Sequence, residues 1–228
     1  MKAFVVAVEG GDGVGKNTIS RALKDMLSAD GRSVTVIDFP RYTDTIAGEA
    51  LALYLNGKTK RPINTDVLSV LYALDRFEFK SEIEAAIGDN DFVIFDRYVA
   101  SNVAYQAAKV EPERRFELME WIATLELEVF RLPQPDLNVL LRLDVAAARE
   151  MIERKAPRAY TALTHDIHEA DDSLQERLRE NYEYLVAQNM IANWLPVNVS
   201  EGGALLPPCD ICSKILPYLV RASTSALP

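Results

Sequence analysis

Residues Gly10-Gly11-Asp12-Gly13-Val14-Gly15-Lys16-Asn17-Thr18 follow an apolar run, Phe4 to Val8, and precede a helical pattern that begins near Lys16. Strand, glycine-rich turn and helix in that order constrain the fold strongly, because the turn has the form of a phosphate-binding loop in its proper setting. Glycine lacks a Cβ and reaches φ values barred to other residues, so successive backbone N–H groups can converge on phosphate oxygens. Lys16 adds a point charge, and the helix start adds unpaired N–H groups and the positive end of its dipole. Residues 10–18 are therefore read as a nucleoside triphosphate site. The pattern normally has Ser or Thr directly after the Lys, where its hydroxyl meets magnesium. Here Asn17 holds that place and Thr18 comes one residue later, which puts direct metal ligation at this position in question.

Short apolar, β-rich runs alternate with longer helical patterns along the rest of the chain. Strands are expected at Phe4 to Val8, Val34 to Phe39, Phe92 to Phe95, Leu137 to Leu143 and Trp194 to Val199. Helices are expected near 16–30, 65–87, 112–131, 145–155, 173–190 and 208–221. This alternation predicts an α/β fold, a doubly wound five-stranded parallel sheet flanked by helices, as one domain over residues 1–228. Ligands of such sheets lie beyond the carboxyl ends of the strands, where Glu9, Phe39, Asp96 and Asp144 fall. The polar stretch Arg154 to Asp172, with Pro157 and poor apolar periodicity, has the composition of a short mobile lid. The tail from Ala222 to Pro228 is expected to fray.

Composition narrows the partners. A net charge of −9 over 228 residues argues against nucleic acid or an anionic membrane surface, either of which would demand a broad basic face. No apolar run approaches the roughly 20 residues of a membrane span, and the N-terminus enters strand pattern without a leader-like segment, so a cytoplasmic location is expected. Cys209 and Cys212 form a lone CxxC. With no second pair, they are read as packing residues that recur with Ile215, Leu216 and Leu219 at helical spacing. His165 and His168 lack a ligand cluster and suit a polar loop or helix start.

Three further segments, and Asp12 within the loop, carry chemistry. Phe92 to Phe95 reads as a buried strand delivering Asp96 and Arg97 to the sheet edge, where an Asp serves magnesium or its waters and an Arg grips phosphate bidentately. Asp12, among the loop's N–H donors, is expected to stay ionised and to orient the acceptor, Lys16 or a metal-bound water. Phe39-Pro40-Arg41-Tyr42 ends the second strand with an aromatic, a rigid φ and a cation, which can wall a base pocket and reach a phosphate. On the helix from Thr65, Tyr72 and Arg76 share a face, an aromatic plate beside an Arg fork, while Val67, Leu71 and Leu74 are read as the core stripe.

With Ser101-Asn102 and Tyr105-Gln106 added, the chain resembles the thymidylate kinases of the bacterial kind. The resemblance also runs through Glu9 to Lys16, Phe39 to Tyr42, Ala73-Leu74-Asp75-Arg76, Asp96-Arg97-Tyr98, Pro133-Gln134-Pro135-Asp136-Leu137 and Asp166-Ile167-His168-Glu169. It implies a P-loop nucleoside monophosphate kinase, homodimeric, that moves the γ-phosphoryl group of MgATP onto dTMP. Carried over residue by residue, it implies that Lys16 and Arg97 hold phosphates, that Asp12 helps organise acceptor and metal, and that Tyr42 approaches the acceptor phosphate. Tyr72 then stacks on thymine, Arg76 donates to O4, Asn102 meets the N3 edge, and Tyr105 crowds the sugar's 2′ position, with Ser101 beside them. Asp12 and Asp96 are the metal candidates. Gly13 stands where the eukaryotic kind has an Arg, so the transition-state cation is assigned to the lid, with Arg154, Lys155 and Arg158 as its sources. The rivals are a deoxynucleoside kinase, which would have no use for a grip built from Arg41, Tyr42 and Arg97, and a catalytically silent nucleotide sensor.

Overall fold

The computed structural model describes residues 2–143, 172–202 and 204–225. Its sheet has five parallel strands, β1 (Phe4–Glu9), β2 (Val34–Asp38), β3 (Phe92–Asp96), β4 (Leu137–Arg142) and β5 (Asn193–Asn198), in the order β2-β3-β1-β4-β5. β1 and β3 are apolar without interruption because both faces are covered. Val5, Ala7, Val93 and Phe95 enter one core layer, whereas Val6, Val8, Phe92 and Ile94 enter the other. The register pairs Val8 with Asp96, so Glu9 and Asp96 arrive at the same carboxyl edge. β1 lies between β3 and β4, where the strand order reverses and a crevice opens for ligand. Asp136, from the Pro-rich motif, latches the entry to β1: its carboxylate accepts from Val5 N–H at 2.7 Å and its own N–H donates to Val5 O at 2.8 Å.

α1 (Lys16–Ala29) follows the glycine-rich loop directly, as expected. The helix expected over 65–87 divides into α3 (Thr65–Glu78) and α4 (Lys80–Asp89). Phe79 makes the break, with φ −95° and ψ 12°, while its ring packs edge-on against Phe39. The face of α3 also differs from expectation. Val67 is 49% exposed, and the buried positions are Leu68, Ser69, Ala73, Asp75 and Arg76. That face is half polar, which hides it from an apolar count.

Two helices had no sequence signal. α2 (Ile46–Leu55) is short and apolar on most sides, with Thr45 as its cap, and α5 (Val99–Ala107) is buried at every position, so neither shows an amphipathic stripe. The stretch expected as a helix over 112–131 is α6 (Pro112–Thr124) continued by one π-helical turn, Leu125–Val129. After the undescribed segment come α7 (Asp172–Ala187) and α8 (Pro208–Ser225), with a small antiparallel pair, β6 (Ser200–Glu201) and β7 (Ala204–Leu205), between β5 and α8. α8 continues to Ser225, so Ala222 to Ser225 are helical, not frayed. Cys212 packs in the core as expected, but Cys209 is exposed. The helix expected over 145–155 and nearly all of the lid, with Asp144, Arg154, Lys155, Arg158, His165 and His168, lie outside the described residues.

Candidate active site

The phosphate loop joins β1 to α1 with Gly10, Gly13 and Gly15 at φ 141°, 79° and 89°. At Gly10 a Cβ would stand 2.7 Å from the Leu141 carbonyl oxygen and 3.1 Å from Val14 Cγ1, so only glycine lets the loop pass β4 this closely. Val14 is buried and anchors the loop in the core beneath it. Lys16 is buried and its Nζ donates to the carbonyls of Gly10 at 3.0 Å and Gly11 at 2.6 Å, which places its charge inside the loop's curl. Asn17 and Thr18 are exposed on the first turn of α1.

From β3, Arg97 turns back onto this loop. It adopts φ 69°, a left-handed conformation uncommon for a non-glycine residue and typical of positions over-determined by a site. Its N–H donates to Val8 O at 3.1 Å, its Nη2 to Asp12 Oδ1 at 2.5 Å and its Nη1 to the Tyr105 hydroxyl at 3.0 Å. Burial works against the Arg97 charge, but Tyr105, Asp12, Tyr182 and Asp96 around it overcome that and hold its pKa well above the ordinary value. The second Asp12 oxygen accepts from Gln175 Nε2 at 3.1 Å, and Gln175 Oε1 accepts from Asp12 N–H at 3.4 Å. Gln175 thus clasps the phosphate loop to α7. Its separation of 163 residues left no signal in the sequence.

Glu9, at the end of β1, is fully buried. Its carboxylate accepts from Tyr98 N–H at 2.9 Å, Ser101 Oγ at 2.5 Å and Tyr182 Oη at 3.0 Å. Burial still raises its pKa, with those donors and Arg97 pulling the other way. Ser101, expected beside the acceptor, therefore directs its hydroxyl at Glu9. Asp96 is 8% exposed and its carboxylate accepts no hydrogen bond from the described residues.

A second cluster forms between α3, α5 and the π-helical turn. Arg76, 2% exposed, donates Nε to Glu126 Oε2 at 2.6 Å and Nη2 to Glu126 Oε1 at 2.7 Å. Asn102 Nδ2 donates to Glu126 Oε1 at 2.8 Å and to Ser69 O at 2.9 Å, while its Oδ1 is buried without a partner. Phe39 and Tyr98 wall the guanidinium at 5.9 Å and 6.0 Å from their ring centroids. Tyr72 is half-buried on the same helix. Sequence reasoning missed Glu126. The available signal was its place four residues after Ile122, itself four after Leu118, which puts an acid on the buried stripe of α6.

The loop Phe39 to Thr45 completes the edge. Its Phe39–Pro40 bond is cis, and Pro40 is buried. Arg41 N–H donates to both oxygens of buried Asp75, and Thr45 Oγ1 also bonds Asp75. Burial raises the Asp75 pKa against those bonds. The Arg41 guanidinium pairs with Asp38 at 2.7 Å and with Asp44 on the same loop. Tyr42, half-buried, follows it.

Residues 8–199 match the family model described as thymidylate kinase. This chain belongs to the thymidylate kinase family. The thymidylate kinase of Mycobacterium tuberculosis (strain ATCC 25618 / H37Rv) is 35% identical over 92% of this chain and 100% of its own length. That of Bifidobacterium longum (strain NCC 2705) is 32% identical over 82% of this chain and 85% of its own. Among solved structures, a thymidylate kinase from Candida albicans superposes with a TM-score of 0.71 at 20% identity, covering 97% of this chain and 92% of that one, a likeness of fold. The sheet of this thymidylate kinase family member carries its glycine-rich loop at the crevice beside β1. Membership in the thymidylate kinase family sets aside the deoxynucleoside kinase and the silent sensor as readings of this chain.

Proposed function

We propose that this site moves the γ-phosphoryl group of ATP onto the phosphate of dTMP, giving dTDP and ADP. The observation that carries this reading is the 2.5 Å bond between Arg97 and Asp12, which joins a half-buried cation at the end of β3 to the glycine-rich loop proposed to hold the donor phosphates. A monophosphate acceptor needs a fixed positive charge beside the donor loop, whereas a neutral nucleoside does not. Phosphoryl transfer depends mainly on positioning and on electrostatic stabilisation, and each part has a residue here. Backbone N–H groups of Gly10 to Thr18 and the start of α1 take the donor phosphates. Lys16 leaves its loop carbonyls for their oxygens, Arg97 and Tyr42 take the acceptor phosphate, and Asp12 orients the two. Tyr72 stacks on the base, Arg76 and Asn102 read its edge, and Tyr105 lies under the sugar.

The donor set suits magnesium: Asp96 offers a carboxylate at the end of β3 and Asp12 another on the loop after β1. That fits an ion which keeps several waters and takes substrate phosphate oxygens. Asp12 and Asp96 would hold it. When bound, it neutralises charge developing on the transferring group. The lid is assigned the remaining transition-state cation, through Arg154 or Arg158. The homodimer is supported by Leu53, Val67 and Trp121, large apolar side chains left exposed on α2, α3 and α6. A cytoplasmic location without nucleic acid or membrane partners is supported by the net charge of −9.

The test offers ATP and magnesium with dTMP, dUMP, dCMP, UMP and thymidine separately, following ADP release. The reading expects dTMP to have the highest kcat/KM. Turnover of thymidine equal to that of dTMP would overturn it.

A further inference from the structure

Arg76 and Asn102 are anchored by one group. Glu126, fully buried on the π-helical turn, accepts two guanidinium N–H bonds and one amide N–H bond with its two oxygens. π-helical turns within helices are frequent at functional sites, and this one lies where the α6 stripe reaches the pocket. Because both partners of the Asn102 Nδ2 group, Glu126 Oε1 and Ser69 O, are acceptors only, the amide has one orientation. Its Oδ1 is then left as an acceptor, buried and unpartnered. Arg76 commits Nε and Nη2 to Glu126, which leaves Nη1 as the guanidinium nitrogen outside that pairing and a donor for the base.

We propose that Glu126 is the positioning residue of base recognition: its carboxylate holds Arg76 and Asn102 so that they present one donor and one acceptor side by side, the complement of a pyrimidine with a 4-carbonyl and a protonated N3. The role rests on the dTMP reading above. Burial disfavours the Arg76 charge, but the Glu126 carboxylate outweighs it and raises the arginine's pKa, so the donor stays charged in a dry pocket. Without Glu126 the Arg76 guanidinium has no fixed direction and Asn102 keeps only Ser69 O. An amide at position 126 would bring its own N–H₂ against the donors of Arg76 and Asn102. One amide oxygen cannot serve all three N–H groups, so the Arg76 guanidinium loses its fixed direction and the preference for a 4-carbonyl over a 4-amino group weakens, while Ser69 O still holds the Asn102 amide in its orientation.

Glu126→Gln tests this through the ratio of kcat/KM for dTMP to that for dCMP. The role predicts that the ratio falls roughly ten- to a hundredfold, as for one buried unpaired donor or acceptor. The change should come mainly from a higher KM for dTMP, with KM for ATP within about twofold. Glu126→Asp, which keeps the charge but shortens its reach, should give an intermediate ratio. An unchanged dTMP to dCMP ratio in folded Glu126→Gln would overturn the role, since lost packing alone lowers both substrates together. If neither variant folds, the unmodified chain decides by side-chain ¹⁵N NMR. The Arg76 Nε–H and Asn102 amide signals should be protected from solvent exchange before and after saturation with dTMP, and loss of protection on binding would overturn the role. Turnover of dTMP by the unmodified chain is the separate control. Its absence would overturn the underlying reading, whereas its presence with an unmoved ratio overturns only Glu126.

Discussion

Gly48, in the first turn of α2, is the position where one methyl group should do most damage to the acceptor side. A Cβ there would stand 2.1 Å from the Arg41 carbonyl oxygen and 2.6 Å from Thr45 Oγ1. Ordinary contact begins at 3.4 Å, so either α2 or the Phe39 to Thr45 loop must move by about 1.3 Å, and the obstacle is backbone that no rotamer change can clear. Overpacking of this kind costs about 1–3 kcal/mol. Loss of the Thr45 cap, whose Oγ1 accepts from Gly48 N–H at 2.9 Å, adds about 1 kcal/mol. The gain from replacing glycine in a helix, about 0.5–1 kcal/mol, does not offset these. Gly48→Ala should therefore lose about 1–3.5 kcal/mol, or roughly 2–14 °C in Tm. Arg41 and Thr45 are tied to Asp75, the neighbour of Arg76, so the displacement reaches the acceptor pocket and not the phosphate loop. A misplacement near 1 Å supports a loss of about tenfold or more in kcat/KM for dTMP, with KM for ATP within about twofold. Thermal unfolding and steady-state kinetics read both. A Tm within about 1 °C of the parent and an unchanged kcat/KM would refute the reasoning.

Lys16→Ala should lower kcat by about 100-fold or more, like the loss of a preorganised oxyanion donor. Asn17→Ala, at an exposed position, should cost less than about tenfold in kcat/KM. Magnesium titrations separate the two, and an Asn17→Ala defect as large as that of Lys16→Ala, rescued by high magnesium, would make Asn17 a metal ligand. Tyr105→Ala should weaken discrimination against ribo-TMP and Tyr105→Phe should not; an unmoved ribo to deoxy ratio in the Ala variant removes Tyr105 from that role. Glu9 gives a pH dependence. Its carboxyl is raised in the fold by burial, so its contribution is fully present below the unfolded value of 4.5 and is lost as pH rises through the higher folded value. Glu9→Gln does not titrate, so urea unfolding should show the variant gaining on the parent as pH rises from about 5 to 8, and parallel profiles would contradict this.

What the sequence made legible was local or repetitive. The phosphate loop is defined by spacing within a few residues, and the strands by apolar runs that only a sheet covered on both faces needs. The cluster proposed to read the base was half legible. Arg76 and Asn102 could be named, but Glu126 lies 50 residues from Arg76 and reads locally as one acid among several on α6. Arg41 could be named for its charge, but its pairing with Asp38 and Asp44, three residues to either side, was not read from the sequence. The polar inner face of α3, with Ser69, Asp75 and Arg76 buried, defeats any apolar count, because there the chain buries its site and not its core.

The central claim is that ATP and dTMP meet at this site and exchange one phosphoryl group. Transfer from ATP labelled with ³²P at the γ position, in magnesium buffer with dTMP as the acceptor, tests it most directly. The account predicts label in the β-phosphate of dTDP, no labelled product from thymidine, and near-complete loss of transfer in Lys16→Ala. Label appearing only as inorganic phosphate, or equally on thymidine, would contradict it.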